Sequence, residues 1–215
     1  MTRGPREYDA GMECVVFAVG GSFVVDVVGV LHRLGWMVRA FVSNEDGCPN
    51  PNGLDPVVSD QLLPGGLVEL PCVVGMGTPS HRRTAHDSAR RAGFTRFPAV
   101  IDPSAVVTHD ATVAEGAFVN AGVVVAARAR LGPFSVINRS SSIGHGSGIG
   151  AFAFVGPGAT VCGGVSLADD AFVGAGAILI PDSSVGVGAF VGAGSVIVGD
   201  VPDHARAVGR RGRVD

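Results

Sequence analysis

The strongest constraint on the fold is a repeat of six residues that fills the second half of the chain. Every sixth residue from Ile101 to Ile197 is Ile, Val or Leu, which makes seventeen positions without an interruption. The residue two places before each of them is always Ala, Ser or Val. A period of six fits neither the roughly 3.6 residues of a helical turn nor the simple alternation of a half-buried strand. The pattern therefore predicts a solenoid of short strands joined by corners.

Three such hexads would close one triangular coil, and successive coils would stack at roughly 4.8 Å, the spacing of paired strands. The aliphatic column would then fill the interior, and the small residues would lie where the walls converge. Gly and Asn are frequent directly after the aliphatic position, where we expect a sharp bend with positive φ. These residues are Asn120, Gly132, Asn138, Gly144, Gly150, Gly156, Gly174, Gly186 and Gly192.

The residues before the repeat show the pattern of a small α/β domain. The predicted elements are a strand at 13–19, a turn at Gly20 and Gly21, a helix at 22–34, a strand at 36–42, a loop at 43–56, a strand at 72–75 and a helix that begins at Thr78 or Ser80 and ends at Gly93. We therefore divide the chain into a small α/β domain at 1–98 and a solenoid domain at 99–215 with a short C-terminal tail. Ligands of open parallel sheets bind at the carboxyl ends of the strands. This rule predicts ligand contacts at Gly20, Gly21, Ser22, Ser43, Asn44, Gly75 and Gly77.

Composition excludes several function classes. Apolar residues make up 47% of the 215 residues and charged residues 16%, which argues against a disordered chain. A net charge of −3 offers no general attraction for nucleic acid, and the absence of Lys excludes Schiff-base chemistry.

The four cysteines, Cys14, Cys48, Cys72 and Cys162, form no zinc or disulfide pattern. The first residues show no signal-peptide pattern, and the apolar stretch at 14–31 is interrupted by Gly-Gly-Ser. We expect a cytoplasmic protein without nucleic-acid or membrane partners.

Short motifs between Ile101 and Asp203 carry a resemblance to a known family. They are Ile101-Asp-Pro-Ser-Ala105, Ile143-Gly-His145, Pro157-Gly-Ala159, Phe172-Val-Gly-Ala-Gly176, Val191-Gly-Ala-Gly194 and Val201-Pro-Asp203. In these motifs and their order, the chain resembles the left-handed β-helix acyltransferases, and within them the sialic acid O-acetyltransferase and bacillosamine N-acetyltransferase subfamily of NeuD and PglD type. The resemblance implies a mainly β fold in which a small Rossmann-like, acceptor-binding domain at 1–98 precedes a left-handed parallel β-helix, the acyltransferase domain, at 99–215. It also implies a homotrimer, acetyl-CoA as co-substrate, and an amino sugar or nucleotide sugar as acceptor for N- or O-acetylation.

His145 is the leading candidate for catalysis. Transfer of an acyl group from a thioester to an amine or hydroxyl needs a base for the proton and donors for the developing oxyanion. A histidine at a corner between glycines could serve as that base, although such a residue can also be merely solvated. The resemblance implies that His145 is the general base, that the backbone amide of Gly163 holds the thioester oxygen one coil onward, and that Asn138 orients the acceptor. A wide corner at Gly163 and a structural corner role for Asn138 stay open as alternatives.

The resemblance also implies a coenzyme A groove between subunits, contacted by Phe154, Gly163, Ala175 and Ala193. Two departures from the family stand out. Gly146 occupies the position where relatives carry an acid beside the base, and Gly20-Gly21-Ser22-Phe23 replaces most of their glycine-rich turn.

Two rival interpretations follow from the same residues. The departures favour a catalytically weakened binding or scaffolding homologue. A metal protein similar to the γ-class carbonic anhydrases would use His109 and His145, but its third ligand position holds Gly150. Because two histidines do not complete such a site, we expect no metal.

Overall fold

The computed structural model describes residues 11–44 and 53–209. These residues belong to two compact units, 11–103 and 104–209. Cys48 and residues 1–10 lie outside the described residues. The predictions about cysteine pairing and targeting rest in part on these residues.

The first unit contains a parallel sheet with two α-helices. Its elements are β1 (Glu13–Phe17), α1 (Val24–Arg33), β2 (Met37–Ser43), β3 (Val57–Ser59), a 3-10 helix (Leu67–Glu69), β4 (Cys72–Val74) and α2 (Pro79–Arg91). The strand order is β3-β2-β1-β4, and all pairs are parallel. The last four residues of β1 are fully buried because a central parallel strand is covered on both faces.

The helices of this unit differ in detail from the prediction. α1 begins at Val24 and buries Val24, Val27 and Leu31 on one face, as an amphipathic helix does. Thr78 is the N-cap residue of α2, but its side chain makes no capping hydrogen bond, and Pro79 supplies the favourable φ of the first turn. β3 and the 3-10 helix were not predicted.

The second unit is a parallel β-solenoid, preceded by one short strand of the first unit. The strands, each two residues long, are β5 (Val100–Ile101), β6 (Val106–Val107), β7 (Thr112–Val113), β8 (Phe118–Val119), β9 (Val124–Val125), β10 (Arg130–Leu131), β11 (Val136–Ile137), β12 (Ser142–Ile143), β13 (Gly148–Ile149), β14 (Phe154–Val155), β15 (Thr160–Val161), β16 (Ser166–Leu167), β17 (Phe172–Val173), β18 (Ile178–Leu179), β19 (Ser184–Val185), β20 (Phe190–Val191), β21 (Val196–Ile197) and β22 (Arg206–Ala207).

Three walls build the solenoid, and each strand pairs with the strand one coil onward. Ile143 on β12 pairs with Val161 on β15, and Ile149 on β13 pairs with Leu167 on β16. The first wall contains β6, β9, β12, β15, β18 and β21, the second β7, β10, β13, β16 and β19, and the third β8, β11, β14, β17, β20 and β22. The aliphatic column and the small residues before it are buried from Ala117 onward. The predicted coil is therefore confirmed.

The glycines directly after the aliphatic positions serve a purpose other than the predicted one. Positive φ occurs two residues further along most turns, for example 58° at Arg128, 68° at Gly146 and 62° at Asp182. A Cβ on Gly150 would lie 2.5 Å from the carbonyl carbon of Ala168 on the next coil. The expectation of positive φ directly after the aliphatic position was wrong, because glycine is needed there to let adjacent backbones approach closely.

Candidate active site

His145 lies at the corner between β12 and β13. It is the first residue of a two-residue turn, its side chain is exposed, and Gly144 and Gly146 flank it. Backbone hydrogen bonds tie this corner to its neighbours: Gly146 N–H donates to the Ala127 carbonyl at 2.9 Å, and Gly164 N–H donates to the His145 carbonyl at 2.9 Å. The imidazole is thus presented to solvent on a backbone that is fixed from both sides.

Gly163 lies directly against the ring of His145. A Cβ built on Gly163 would be 2.6 Å from both Nε2 and Cε1 of the imidazole. No real Cβ could occupy that position without displacing the ring. The structure therefore brings these two predicted residues together, and it gives the glycine a specific reason for lacking a side chain.

The Gly163 amide also differs from amides at equivalent positions of other corners. Within residues 11–44 and 53–209, it donates no backbone or side-chain hydrogen bond. At four other corners the corresponding amide is capped by a side-chain oxygen at 2.7–2.8 Å: Ala121 by Asn120, Arg139 by Asn138, Ala151 by Asp169 and Val187 by Asp203. The Gly163 N–H is therefore an available donor beside an imidazole.

Asn138 lies on another corner, between β11 and β12, and its side chain is 5% exposed. Its Oδ1 accepts hydrogen bonds from Asn120 Nδ2 at 2.9 Å and from the Arg139 amide at 2.8 Å. This side-chain oxygen therefore already accepts one hydrogen bond from the coil below and one from its own turn. Within one chain, the two residues of β12 stand between this corner and that of His145.

Of the four predicted coenzyme A residues, Gly163 lies at the corner of His145, and the other three form a second group. Ala175 and Ala193 lie one coil apart on the corner between the third and the first wall, joined by a 2.8 Å hydrogen bond from Gly194 N–H to the Ala175 carbonyl. Phe154 lies on the third wall, where its ring stacks on Phe172 with centroids 4.8 Å apart. A single chain therefore places these residues away from the corner of His145.

The predicted acceptor residues lie at the carboxyl ends of β1, β2 and β4. Gly20, Gly21 and Ser22 follow β1, Ser43 ends β2, Asn44 comes directly after it, and Gly77 lies between β4 and α2. Because the strands are parallel, these ends share one edge of the sheet. The loops after β1 and β4 touch there, since a Cβ on Gly77 would lie 3.1 Å from the ring of Phe23.

Sequence reasoning missed Arg82, which holds this edge together. Its side chain is almost fully buried, and its guanidinium donates to the carbonyls of Met76 and Gly77 in the loop before α2. The signal was present in the sequence, because Arg82 falls on the face of α2 that also carries Pro79, Ala85 and Ala89.

The thiols of the first unit are not activated for chemistry. Burial raises the pKa of Cys14 to about 12 and raises the pKa of Cys72 as well, with the neighbouring Cys14 adding to the second effect. A thiol held protonated is a poor nucleophile and a poor metal ligand. In the part of the chain that the structure describes, no group of three potential metal ligands occurs. No helix there has both the length and the apolar character needed to cross a membrane.

The fold is shared with solved acetyltransferases. PerB, a perosamine N-acetyltransferase from Caulobacter crescentus solved with CoA and GDP-perosamine, is 33% identical, with a TM-score of 0.81 over 93% of this chain and 94% of that one. The acetyltransferase domain of PglB from Neisseria gonorrhoeae FA1090, solved with acetyl coenzyme A, is 27% identical, with a TM-score of 0.75 over 91% and 95% of the two chains.

WeeI from Acinetobacter baumannii AYE shares the fold at 20% identity, with a TM-score of 0.76 over 92% of this chain and 97% of that one. Scans of family models and of curated protein sequences give no match. The matched structures confirm the acyltransferase class predicted from the sequence. With one third of its residues identical to PerB over nearly the whole of both chains, the protein belongs to the β-solenoid acetyltransferase family of which PerB is a member.

Proposed function

We propose that this protein transfers the acetyl group of acetyl-CoA to the amino group of a nucleotide-linked amino sugar, with His145 as the general base. The observation that carries the proposal is that the exposed His145 imidazole lies against Gly163, whose amide donates to no group in residues 11–44 and 53–209. The two groups supply what acyl transfer from a thioester needs: a proton acceptor and an oxyanion donor. PerB, with CoA and GDP-perosamine bound, supports the choice of substrates.

The reaction then proceeds by direct attack. As the acceptor nitrogen bonds to the thioester carbon, the imidazole takes a proton from that nitrogen, and the carbonyl oxygen gains negative charge. Gly163 N–H donates to this oxygen while the charge is present. Collapse of the tetrahedral intermediate breaks the C–S bond, and the leaving thiolate takes the proton back from the imidazolium. The products are an N-acetylated sugar and free coenzyme A, with no covalent enzyme intermediate.

Phe154, Ala175 and Ala193 lie away from the corner of His145 within one chain, which supports a site shared between chains. We assign coenzyme A contacts to Phe154, Ala175 and Ala193, which lie on another corner and wall from His145. A homotrimer of left-handed β-helices, as in enzymes of NeuD and PglD type, would bring the corner of one chain to that of the next. Sedimentation of the full chain tests this arrangement, and a monomer at working concentrations would contradict it.

The acceptor is assigned to the first unit, interpreted as a Rossmann-like domain. Its nucleotide would contact the loops at Gly20, Gly21, Ser22, Ser43, Asn44 and Gly77, which meet at one edge of the sheet. Asn138 would orient the sugar bound to an adjacent chain through its Nδ2 group, because its Oδ1 already accepts two hydrogen bonds. The free thiols of Cys14, Cys72 and Cys162 agree with a cytoplasmic location, where disulfides are rare.

The test uses the full chain with acetyl-CoA and GDP-perosamine as the probe acceptor, and follows thiol release. His145→Ala should lower kcat by at least about 100-fold, the contribution typical of a general base. Calorimetry should show that CoA affinity is retained. The matched control is His204→Ala, because His204 is also an exposed histidine at a solenoid corner. Full turnover by His145→Ala would overturn the assignment of the base.

One observation favours a second candidate function, a binding or scaffolding homologue. Gly146 supplies no acid beside His145, and the space around its Cβ position is open to 4 Å. Wild-type protein that binds CoA in calorimetry, but releases no thiol with any of a panel of nucleotide-linked amino sugars, would support the scaffold over the enzyme.

A further inference from the structure

The adjacent glycines Gly163 and Gly164 separate two ionisable side chains that approach them from opposite directions. The imidazole of His145 comes from the coil below and lies 2.6 Å from the Cβ position of Gly163. The carboxylate of Asp182 comes from the coil above: its Oδ1 is the nearest atom to the Cβ position of Gly164, and its Cγ lies 3.3 Å away. A side chain on either glycine would displace one of these groups.

Backbone hydrogen bonds hold the three coils of this corner in register. Gly164 N–H donates to the His145 carbonyl at 2.9 Å, and Asp182 N–H donates to the Gly163 carbonyl at 3.1 Å. Asp182 occupies the turn position with positive φ, at 62°, from which its side chain folds back over Gly164. Since successive Cα atoms are about 3.8 Å apart, the imidazole and the carboxylate contact neighbouring residues of one turn.

The Asp182 carboxylate is also available for a new contact. It is exposed, and within the described part of the chain it makes no hydrogen bond or ion pair. Two other corner acids of the solenoid, one turn position earlier than Asp182, are engaged: Asp169 accepts from the Ala151 amide and Asp203 from the Val187 amide. A rotation about its side-chain bonds, or one bridging water, would join it to the ring of His145.

The other charged groups around this corner have both signs. Arg128 lies one coil below Gly146, and the guanidinium of Arg130, on β10, lies 3.7 Å from the Cβ position of Gly148 on β13.

Three acids belong to the same corner. Asp110, next to His109, lies two coils below His145. Asp200, on the coil above Asp182, already accepts from the amide and the hydroxyl of Ser184. Asp182 is therefore the nearest acid on the side of the corner toward which the imidazole points.

We propose that Asp182 is the acidic partner of His145, taking the role that Gly146 cannot fill. The inference rests on the proposed function, because a base that becomes an imidazolium during the reaction gains from a nearby carboxylate that orients the ring and stabilises its charge. Asp182 is a positioning residue: it acts on the reaction through His145. Gly163 and Gly164 leave the space in which the two side chains approach each other.

The first test needs no acceptor and no activity. The ring ¹⁵N shifts of His145 are measured by NMR in the full chain at pH 6.5, for the wild type and for Asp182→Asn. An opposite charge within about 4–6 Å favours the protonated ring. Loss of this carboxylate should therefore lower the ratio of protonated to neutral imidazole about threefold. Asp170→Asn is the matched control, since Asp170 holds the same turn position on another corner, with φ of 58°. An unchanged ratio in Asp182→Asn would overturn the proposal.

The second test follows turnover with acetyl-CoA and GDP-perosamine. Asp182→Asn should lower kcat about tenfold with an unchanged KM for acetyl-CoA, and Gly146→Asp in that background should restore part of the loss. An unchanged kcat in Asp182→Asn, with His145→Ala inactive, would overturn the role of Asp182 and leave the proposed function standing. If the wild type releases no thiol with this acceptor, the proposed activity toward it is wrong. The ratio of protonated to neutral His145 imidazole in the wild type and in Asp182→Asn then tests the Asp182 assignment alone.

Discussion

The two units of the chain derive their structures from sequence in different ways. In the solenoid each contact recurs one coil onward, so that the pairing of Ile143 with Val161 is repeated by Val161 with Leu179. In the α/β unit each contact is made once, as in the ion pair of Arg33 with Asp102 or the edge-to-face packing of Phe17 on Phe94. A repeated contact can be inferred from periodicity, whereas a single contact leaves no trace in the spacing of residues.

The two units also differ in what restricts the side chain that a position can carry. In the solenoid the limit is the spacing of coils, which the backbone hydrogen bonds fix. Six of the seven glycines directly after the aliphatic column have backbone atoms of the next coil within 3.0 Å of their Cβ position, and Gly192 meets the side chain of Val208 instead. In the α/β unit the limit is the burial of particular polar groups, such as the carboxylate of Asp102, whose side chain is 0% exposed. The predictions below test these limits separately.

The largest effect is expected from Gly150→Ala in the solenoid. The new Cβ would lie 2.5 Å from the Ala168 carbonyl carbon and 2.6 Å from the Asp169 amide nitrogen, and these backbone atoms cannot move without breaking the stacking of coils. We expect a loss of about 3 kcal/mol or more in the free energy of unfolding, at the upper end for overpacked sites. Denaturant unfolding followed by circular dichroism measures it.

Gly158→Ala provides the control for that substitution. Gly158 has a φ of 65°, and no atom lies within 4 Å of its Cβ position, so that only backbone strain opposes alanine there. The expected cost is about 1 kcal/mol. Equal losses for the two substitutions would show that coil spacing does not limit the solenoid, and the contrast drawn with the α/β unit would fail.

Periodicity was sufficient to predict the solenoid register and its interior, because burial of one residue in six depends only on the strand-corner repeat. The same glycines misled the prediction of φ. Glycine is favoured both by positive φ and by close backbone approach, and composition alone does not separate these causes. Only the coordinates show that Gly144 and Gly150 serve the second purpose and Gly146 the first.

Of two side-chain relations across coils at the site, the sequence predicted one and not the other. The stacking of His145 under Gly163 follows from the eighteen-residue register, and the sequence predicted it. The approach of Asp182 to Gly164 involves a side chain that folds back over the coil below, a conformation that spacing does not specify. In the α/β unit β3 was missed because its three residues are only half-buried and show no apolar alternation.

A smaller effect is expected from Arg33→Ala, which tests whether single contacts stabilise the α/β unit. The substitution leaves the Asp102 carboxylate buried without the guanidinium that donates to it from Nε at 2.7 Å. We expect a loss of about 2 kcal/mol in the free energy of unfolding, below the usual cost of breaking a buried pair because Arg33 is 48% exposed. Fluorescence of Trp36, the only tryptophan and a buried residue of this unit, reports the transition.

The control for Arg33→Ala is Arg39→Ala, which removes a surface ion pair of the same unit. Arg39 and Glu13 are 3.5 Å apart, with side chains 56% and 41% exposed, and such pairs contribute about 0.5 kcal/mol or less. If both substitutions destabilise the unit equally, burial of Asp102 is not what makes the Arg33 contact important.

The last effect is graded by pH: alkaline conditions should weaken the α/β unit through its buried thiols, by a small amount just above pH 9 and by more at higher pH. In the unfolded chain Cys14 ionises near pH 9.0, whereas burial raises its pKa to about 12 in the folded unit. Above pH 9 the unfolded state therefore binds fewer protons than the folded state, and the free energy of unfolding falls by up to about 1.4 kcal/mol per pH unit for each thiol. Because the chain contains no Lys and one Tyr, few other groups contribute in this range. Cys14→Ala should make the decline in the Trp36 unfolding transition between pH 9 and 11 shallower, and an unaltered slope would show that the thiol is not held neutral by burial.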